Sequence, residues 1–289
     1  MMIEKAQSLG KGEISSTTNH PLEKYLQMER FPHIFCPGCG IGTTVNAFIT
    51  AVSELERAGL IDYKELAVVT GGGCPSKIAC YLRMDACYMP LGSVIPFAAG
   101  LKTANTKLKV VVISGETDLI GIGVNHFIHA ARHNLDITVI CLNSFLYEGI
   151  VSRTAASSSE IASSLTTPYG ESGTFLNLPY LAVSSGAVYA ARWTTVHVRR
   201  LKDSIKESML KQGFRFIEAV TPCTTVFARY NRLGTSLDVM KYLLENSIVK
   251  ENIAPLMADI GFNNGMIICG KFVDRTRPPS FDLYKKSAK

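Results

Sequence analysis

The chain has 289 residues, 47% of them hydrophobic and 19% charged, and carries a net charge of +6. That length and balance describe a packed globular protein of one large or two ordinary domains, and set aside the disordered classes. The basic clusters at Arg199, Arg200 and Lys202 and at Lys285 and Lys286 have no interleaved aromatics, so nothing indicates nucleic-acid binding. A mildly basic face suits an acidic electron carrier equally well.

The start, "MMIEKAQSLGKGEISSTTNHPLEKY", has no apolar core of signal-peptide length. No later apolar run reaches the roughly 18 residues of a membrane span. The expectation is a cytoplasmic protein with a flexible segment over 1–21, an α/β domain over 22–250 and a C-terminal extension over 251–289. "FCPGCGIG" (35–42) sets Cys36 and Cys39 around a Pro-Gly turn, and "TTVNAFITAVSELERAG" then reads as a helix stopped by Gly59. "ELAVVT" (65–70) reads as a strand and runs into "GGGCPSK", which carries Cys74. "LKVVVIS" (108–114) is the next strand, followed by an acidic turn, the helical "GVNHFIHAARHN" and the strand "DITVICLN" (136–143). The small-residue stretch "SRTAASSSEIASSLTTPYG" (152–170) has the composition and length of a functional loop.

"GAVYAAR" (186–192) and "FRFIEAV" (214–220) complete the strands, with the helix "VRRLKDSIKESMLKQG" between them and "TPC", holding Cys223, after the second. "TSLDVMKYLLENSIVK" (235–250) reads as one more helix, while the tail "GKFVDRTRPPSFDLYKK" has too much Pro and charge for a core element. Continuous β-branched strands alternating with helices predict a mostly parallel sheet covered on both faces. Ligands in such sheets gather at the carboxyl ends of the strands.

Without a secretory signal, the eight cysteines read as reduced or metal-bound thiols. Cys36, Cys39, Cys74 and Cys223 sit in three separate loops beside Gly or Pro, and two of those loops directly follow strands. Four thiolates from three loops suit either tetrahedral zinc or a cubane iron-sulfur cluster. Cys80, Cys87, Cys141 and Cys269 read as ordinary buried thiols. At the acidic turn, a carboxylate after one strand and a polar side chain after the next can hold a divalent cation that grips a diphosphate.

"FCPGCG", "GGGCPSK", "PFAAGLKTAN", "GETDLIGIGVNHFIHAARHNLDITVICLN", "TTPYG", "GFRFIEAVTPC" and "GKFVDRTRPP" occur in one order. Together, over roughly residues 22 to 284, they resemble the β subunit of 2-oxoacid:ferredoxin oxidoreductases. The resemblance implies the thiamine-diphosphate-binding fold and a chain that oxidatively decarboxylates a 2-oxo acid to acyl-CoA, with electrons passed through a [4Fe-4S] cluster to ferredoxin. It also implies an α-subunit partner that supplies the acid activating the cofactor, in a hetero-oligomer. On it, Cys36, Cys39, Cys74 and Cys223 match the cluster ligands. Gly115, Glu116, Thr117 and Asp118, with Asn143, Ser144 and the Leu146 carbonyl, match the positions that hold Mg²⁺ and thiamine diphosphate, with Glu116 and Ser144 as side-chain metal ligands. Gly40, Ser76 and Lys77 are expected beside the cofactor.

The chain departs from the family pattern at several points. Gly-Asp-Gly-Asp becomes Gly115-Glu116-Thr117-Asp118, which lengthens the carboxylate's reach and puts a β-branched residue where a backbone at positive φ would need glycine. Asn-Asn becomes Asn143-Ser144. His-x-x-His-Gly-Arg becomes Tyr88-Met89-Pro90-Leu91-Gly92-Ser93, and Gly-Met-Thr-Gly-Gly-Gln becomes "EGIVSR" (148–153). The alternative to an active subunit is therefore a diverged one that keeps the cluster as an electron relay or structural element. His126, His129 and His133 are expected to pack through hydrogen bonds, Asp118 to cap a helix beginning near Leu119, and Trp193 to pack beside its strand.

Overall fold

The computed structural model describes residues 20–146, 163–164, 168–169, 176–258, 260 and 266–279. Residues 1–19 of the expected flexible start, "EGIVSR" and most of the small-residue loop lie outside them. In chain order the elements are α1 (Gly40–Arg57), β1 (Leu66–Thr70), β2 (Asp85–Tyr88), α2 (Val94–Ala104), β3 (Lys109–Gly115), α3 (Val124–Arg132) and β4 (Ile137–Asn143). They continue with α4 (Leu178–Ser185), β5 (Tyr189–Thr194), α5 (Val198–Leu210), β6 (Phe214–Val220), α6 (Phe227–Tyr230), α7 (Ser236–Asn246), β7 (Ser247–Val249) and β8 (Ile267–Asp274).

The sheet runs β2-β1-β3-β4-β6-β5-β8-β7, parallel except where β5 meets β8. The predicted architecture is thus the observed one. Alternate residues of the central strands feed two cores. Val111, Ile113, Ile140 and Leu142 pack with α1 and α5 on one face. Val110, Val112, Val139 and Cys141 pack with α2, α3 and α4 on the other. A parallel sheet buried on both faces needs such unbroken apolar strands. From β1 the chain steps outward to β2 and then crosses back to β3 on β1's other side, which opens a crevice between the carboxyl ends of β1 and β3. A reversal of this kind is where an open α/β sheet admits ligands.

The tail expectation is overturned. β8 inserts between β5 and β7 and buries Ile267 and Cys269 fully and Phe272 almost fully. Each large apolar side chain so buried contributes about 1.5–3 kcal/mol. Pro and charge lie mostly beyond residue 274, where Asn134 donates through Nδ2 to the carbonyls of Arg277 and Pro278. Gly270 is required in the strand because a Cβ there would meet the Lys250 carbonyl oxygen at 2.3 Å.

At the end of β8, partial burial pushes the Asp274 carboxyl up, but Lys211 at 2.5 Å and Lys271 at 2.8 Å outweigh it and hold the pKa at about 2. A depressed carboxylate stabilises the fold above its unfolded pKa of about 3.9, and that contribution is lost as pH falls through the folded value. Asp274→Asn should therefore lower the urea midpoint at pH 7, with the two proteins converging near pH 2. Equal differences at both pH values would contradict the assignment.

The sequence reading also missed α2 and α4, which pack on one face of the sheet, and two short strands. β2 is an exposed four-residue edge, and β7 takes the last residues of what reads as a single helix over 235–250. No helix among the described residues is long and apolar enough to cross a membrane.

Candidate functional site

The CPGC stretch folds as a type II turn. The Cys39 N–H donates to the Cys36 carbonyl at 3.0 Å, and Gly38 takes the left-handed φ of +73° that such a turn demands at its third position. The turn is bound to two distant elements through one acceptor. The Pro37 carbonyl accepts from the Thr224 hydroxyl at 3.2 Å and from the Ser236 hydroxyl, at the start of α7, at 2.9 Å. Cys74 opens a short helical turn after β1, behind Gly73 at φ +88°, and the Ser76 hydroxyl donates back to the Gly73 carbonyl at 2.7 Å. Cys223 follows β6, with its N–H donating to the Ser144 carbonyl at 3.1 Å.

All four of these cysteines line one cavity of about 590 Å³. Two sulfurs share a neighbour: the Thr225 hydroxyl oxygen lies 3.5 Å from Cys223 Sγ and 3.9 Å from Cys36 Sγ. The Val226 N–H donates to Cys223 Sγ at 3.4 Å. Among the described residues no three His, Cys, Asp or Glu side chains are grouped as a site for a single metal ion. A cubane asks for a different arrangement, thiolates around a cage of four irons. Four cysteines around one cavity, with hydrogen-bond donors aimed at sulfur, are a donor set of that chemistry.

The same cavity reaches Ser144 and Leu146, and its wall includes Ser76 and the exposed Lys77. Glu116, Thr117 and Asp118 are all 1% exposed in a π-helical turn that follows Gly115 at the end of β3. Such turns recur at functional sites. Thr117 is not among the residues with positive φ, and Glu116 has helical φ −56° and ψ −42°. The β-branched side chain therefore brings no backbone strain, contrary to the concern raised by the missing glycine. The Leu146 carbonyl accepts from the Ser144 hydroxyl at 3.4 Å and the Thr117 hydroxyl at 3.5 Å. Adjacent oxygens around octahedral Mg²⁺, at bonds of 2.0–2.1 Å, stand about 3 Å apart. Ser144 Oγ and the Leu146 carbonyl thus have suitable spacing, and the Glu116 carboxylate is the hard, charged ligand type that Mg²⁺ takes. By ligand type, these oxygen donors suit the ion.

Strain is concentrated between them. Phe145 has φ +59°, unfavourable for any side chain but glycine's hydrogen, and is fully buried against Phe227 with ring centroids 5.4 Å apart. Asn143 braces it: its Oδ1 accepts the Phe145 N–H at 3.2 Å and its Nδ2 donates to Glu218 at 2.7 Å. Glu218 is in turn paired with Arg192 Nε at 2.6 Å, both side chains being wholly buried. Arg192 also donates to the Ala258 carbonyl at 2.6 Å. The amide of Asn143 is thus engaged in holding the turn that carries Ser144 and Leu146.

Asp118 does not cap a helix. Its carboxylate accepts from the Ser114 hydroxyl and the Gly92 N–H, tying the acidic turn to the 90–93 loop. Burial holds its carboxyl above the usual carboxylate range despite both donors. A Cβ on Gly71 would lie 1.6 Å from Asp118 Oδ2, so the end of β1 needs glycine for this approach. Gly40 likewise starts α1 so close to Thr221 that a Cβ would meet Thr221 Oγ1 at 2.2 Å. Tyr88, in the place of a family histidine, is 57% exposed and lines the cysteine cavity.

His126, His129 and His133 are exposed, while Phe127, Ala130 and Ala131, with Val124, turn inward, so the packing role is wrong. Cys80 is exposed and Cys87 half-buried, unlike Cys141 and Cys269, which are buried as expected. Burial pushes the Cys269 thiol up to about 11, so it remains protonated at neutral pH. Trp193 packs as expected, its indole N–H donating to Ser204 at 2.7 Å. Thr225, Phe145 and the Glu218–Arg192 pair escaped the sequence reading. The pair had left a signal, because charge inside a strand that reads as continuously buried requires a partner.

Residues 73–219 match the family described as thiamine pyrophosphate enzyme, C-terminal TPP binding domain. The chain is 41% identical over 263 residues to the 2-oxoglutarate synthase subunit KorB of Methanothermobacter marburgensis, covering 91% of this chain and 90% of that one. It is 34% identical over 204 residues to the 2-oxoacid:ferredoxin oxidoreductase subunit beta of Saccharolobus solfataricus, covering 70% and 64%. The solved 2-oxoglutarate:ferredoxin oxidoreductase from Magnetococcus marinus, with 2-oxoglutarate, coenzyme A and succinyl-CoA bound, shares the fold. Its TM-score is 0.79 over 93% of this chain and 90% of that one, at 23% identity.

Proposed function

Because the chain belongs to the family of 2-oxoacid:ferredoxin oxidoreductase β subunits, of the 2-oxoglutarate synthase type, we propose that it carries both the thiamine diphosphate site and the first electron acceptor of such an enzyme. The substrate in this reading is 2-oxoglutarate, which with coenzyme A yields succinyl-CoA, CO₂ and an electron pair for ferredoxin. The α subunit completes the site, as the family resemblance implies. The observation that supports the reading most is the shared cavity, in which Cys36, Cys39, Cys74 and Cys223 stand within the same walls as Ser144 and Leu146. An organic centre and an electron acceptor must lie close together if electrons are to leave singly.

When bound, thiamine diphosphate supplies the nucleophilic carbon and electron sink for decarboxylation, and a [4Fe-4S] cluster supplies one-electron capacity. The chain's own residues bind and orient. Glu116, Ser144 and the Leu146 carbonyl would hold Mg²⁺, which would neutralise charge on the diphosphate. The Thr117 hydroxyl also donates to that carbonyl. Lys77 offers a positive charge in the cavity wall to an anionic ligand. Asp118 and Gly92 keep the 90–93 loop against the acidic turn.

The purified complex should bind thiamine diphosphate in the presence of Mg²⁺ by calorimetry, and Glu116→Ala should weaken that binding by at least about tenfold, about 1.4 kcal/mol. Absence of binding to the wild-type complex at millimolar cofactor would contradict the reading and favour a diverged relay subunit. The departures at Glu116, Ser144 and Tyr88–Ser93 are what keep that second reading in view.

A further inference from the structure

We propose that Thr225 is a positioning residue that sets the cluster's reduction potential, while its neighbour Thr224 holds the cluster's turn together. The proposal rests on the reading that Cys36, Cys39, Cys74 and Cys223 hold a [4Fe-4S] cluster. The Thr225 hydroxyl lies beside two sulfurs from distant parts of the chain, 3.5 Å from Cys223 Sγ and 3.9 Å from Cys36 Sγ. An iron-bound thiolate has no proton, so the hydroxyl must be the donor. It has one hydrogen and serves one sulfur at a time. The shorter distance favours Cys223, whose sulfur also accepts the Val226 N–H at 3.4 Å.

Reduction adds one negative charge to the cluster and spreads part of it over the ligand sulfurs. A donor aimed at sulfur stabilises that reduced form more than the oxidised one and raises the potential. Thr225 is exposed, and among the described residues its hydroxyl has hydrogen-bond distances to the two sulfurs alone. Thr224 differs in each respect. It is 8% exposed, and its hydroxyl donates to the Pro37 carbonyl inside the CPGC turn. Adjacent threonines thus divide two tasks, electronic and mechanical.

The test is an EPR-monitored redox titration, with iron analysis, of the anaerobically purified complex carrying Thr225→Val, Thr225→Ser, Thr225→Ala or Thr224→Val. Thr225→Val should keep its iron while its midpoint moves negative. The ratio of reduced to oxidised cluster at fixed potential should fall by up to about tenfold, equivalent to about 59 mV for a one-electron couple. Thr225→Ser should restore the wild-type midpoint. Thr224→Val should lose iron, and the clusters it retains should titrate at the wild-type midpoint. Should Thr225→Val fail to assemble, the smaller Thr225→Ala must show the same negative move. An unshifted midpoint in iron-replete Thr225→Val or Thr225→Ala overturns this proposal and leaves the cluster reading intact, as does an equal shift in Thr225→Ser. Wild-type complex without iron overturns both.

Discussion

Cys223→Ala is expected to yield a folded subunit that has lost its cluster, with 2-oxo acid-dependent ferredoxin reduction down by more than about 100-fold. Changes outside the ligand shell of a metal site already cost 10–100-fold, and this one removes a ligand. The fold should survive because the loop is held by main-chain bonds that alanine keeps: Cys223 N–H to the Ser144 carbonyl at 3.1 Å and Ala228 N–H to the Cys223 carbonyl at 3.0 Å. The matched control is Cys80→Ala, which removes an exposed thiol that does not line the cavity. Iron content and acceptor reduction of the two complexes decide the matter. Full iron in Cys223→Ala, or equal loss in both variants, would remove Cys223 from the ligand set.

Glu218→Ala is expected to cost about 3–5 kcal/mol of stability, because it leaves the Arg192 charge buried without its counter-ion. The same change takes away the acceptor that holds the Asn143 amide at 2.7 Å. That amide restrains the Phe145 turn, so affinity for Mg²⁺ and thiamine diphosphate should fall together with stability. Glu218→Gln, which keeps an acceptor but loses the charge, should fall between wild type and Glu218→Ala. Replacing both partners, with Glu218→Leu and Arg192→Met, should recover much of the loss, since an apolar pair spares the desolvation of two ions. Urea unfolding of the four proteins measures this. If the double variant is as unstable as Glu218→Ala, packing rather than the buried charge dominates the site.

The central strands were legible because a strand buried on both faces has to be apolar throughout, and "LKVVVIS", "DITVICLN" and "FRFIEAV" nearly are. β8 was not. Its second half, "GKFVD", runs straight into Pro-rich, charged residues, and only pairing with β5 and β7 reveals its buried positions. The histidines of α3 could have been placed correctly, because Phe127, Ala130 and Ala131 already define the inward face and leave His126, His129 and His133 outside it. The cysteine loops carried their Gly and Pro signals openly. Their meeting was legible too, from the strand ends that Cys74 and Cys223 follow and from the family resemblance: β1 and β6 are separated in the sheet by β3 and β4, and all four cysteines line one cavity. Thr225 left no trace in the sequence. A hydroxyl two residues after a cysteine acquires meaning only when a second sulfur, from residue 36, arrives beside it.

The most direct measurement is iron and acid-labile sulfide analysis, with EPR after dithionite reduction, on the complex purified without oxygen. Three cysteine loops around one cavity predict about four irons and four sulfides per chain and a reduced-cluster signal. Material with neither iron nor labile sulfide, or with a single zinc ion in their place, would contradict the account.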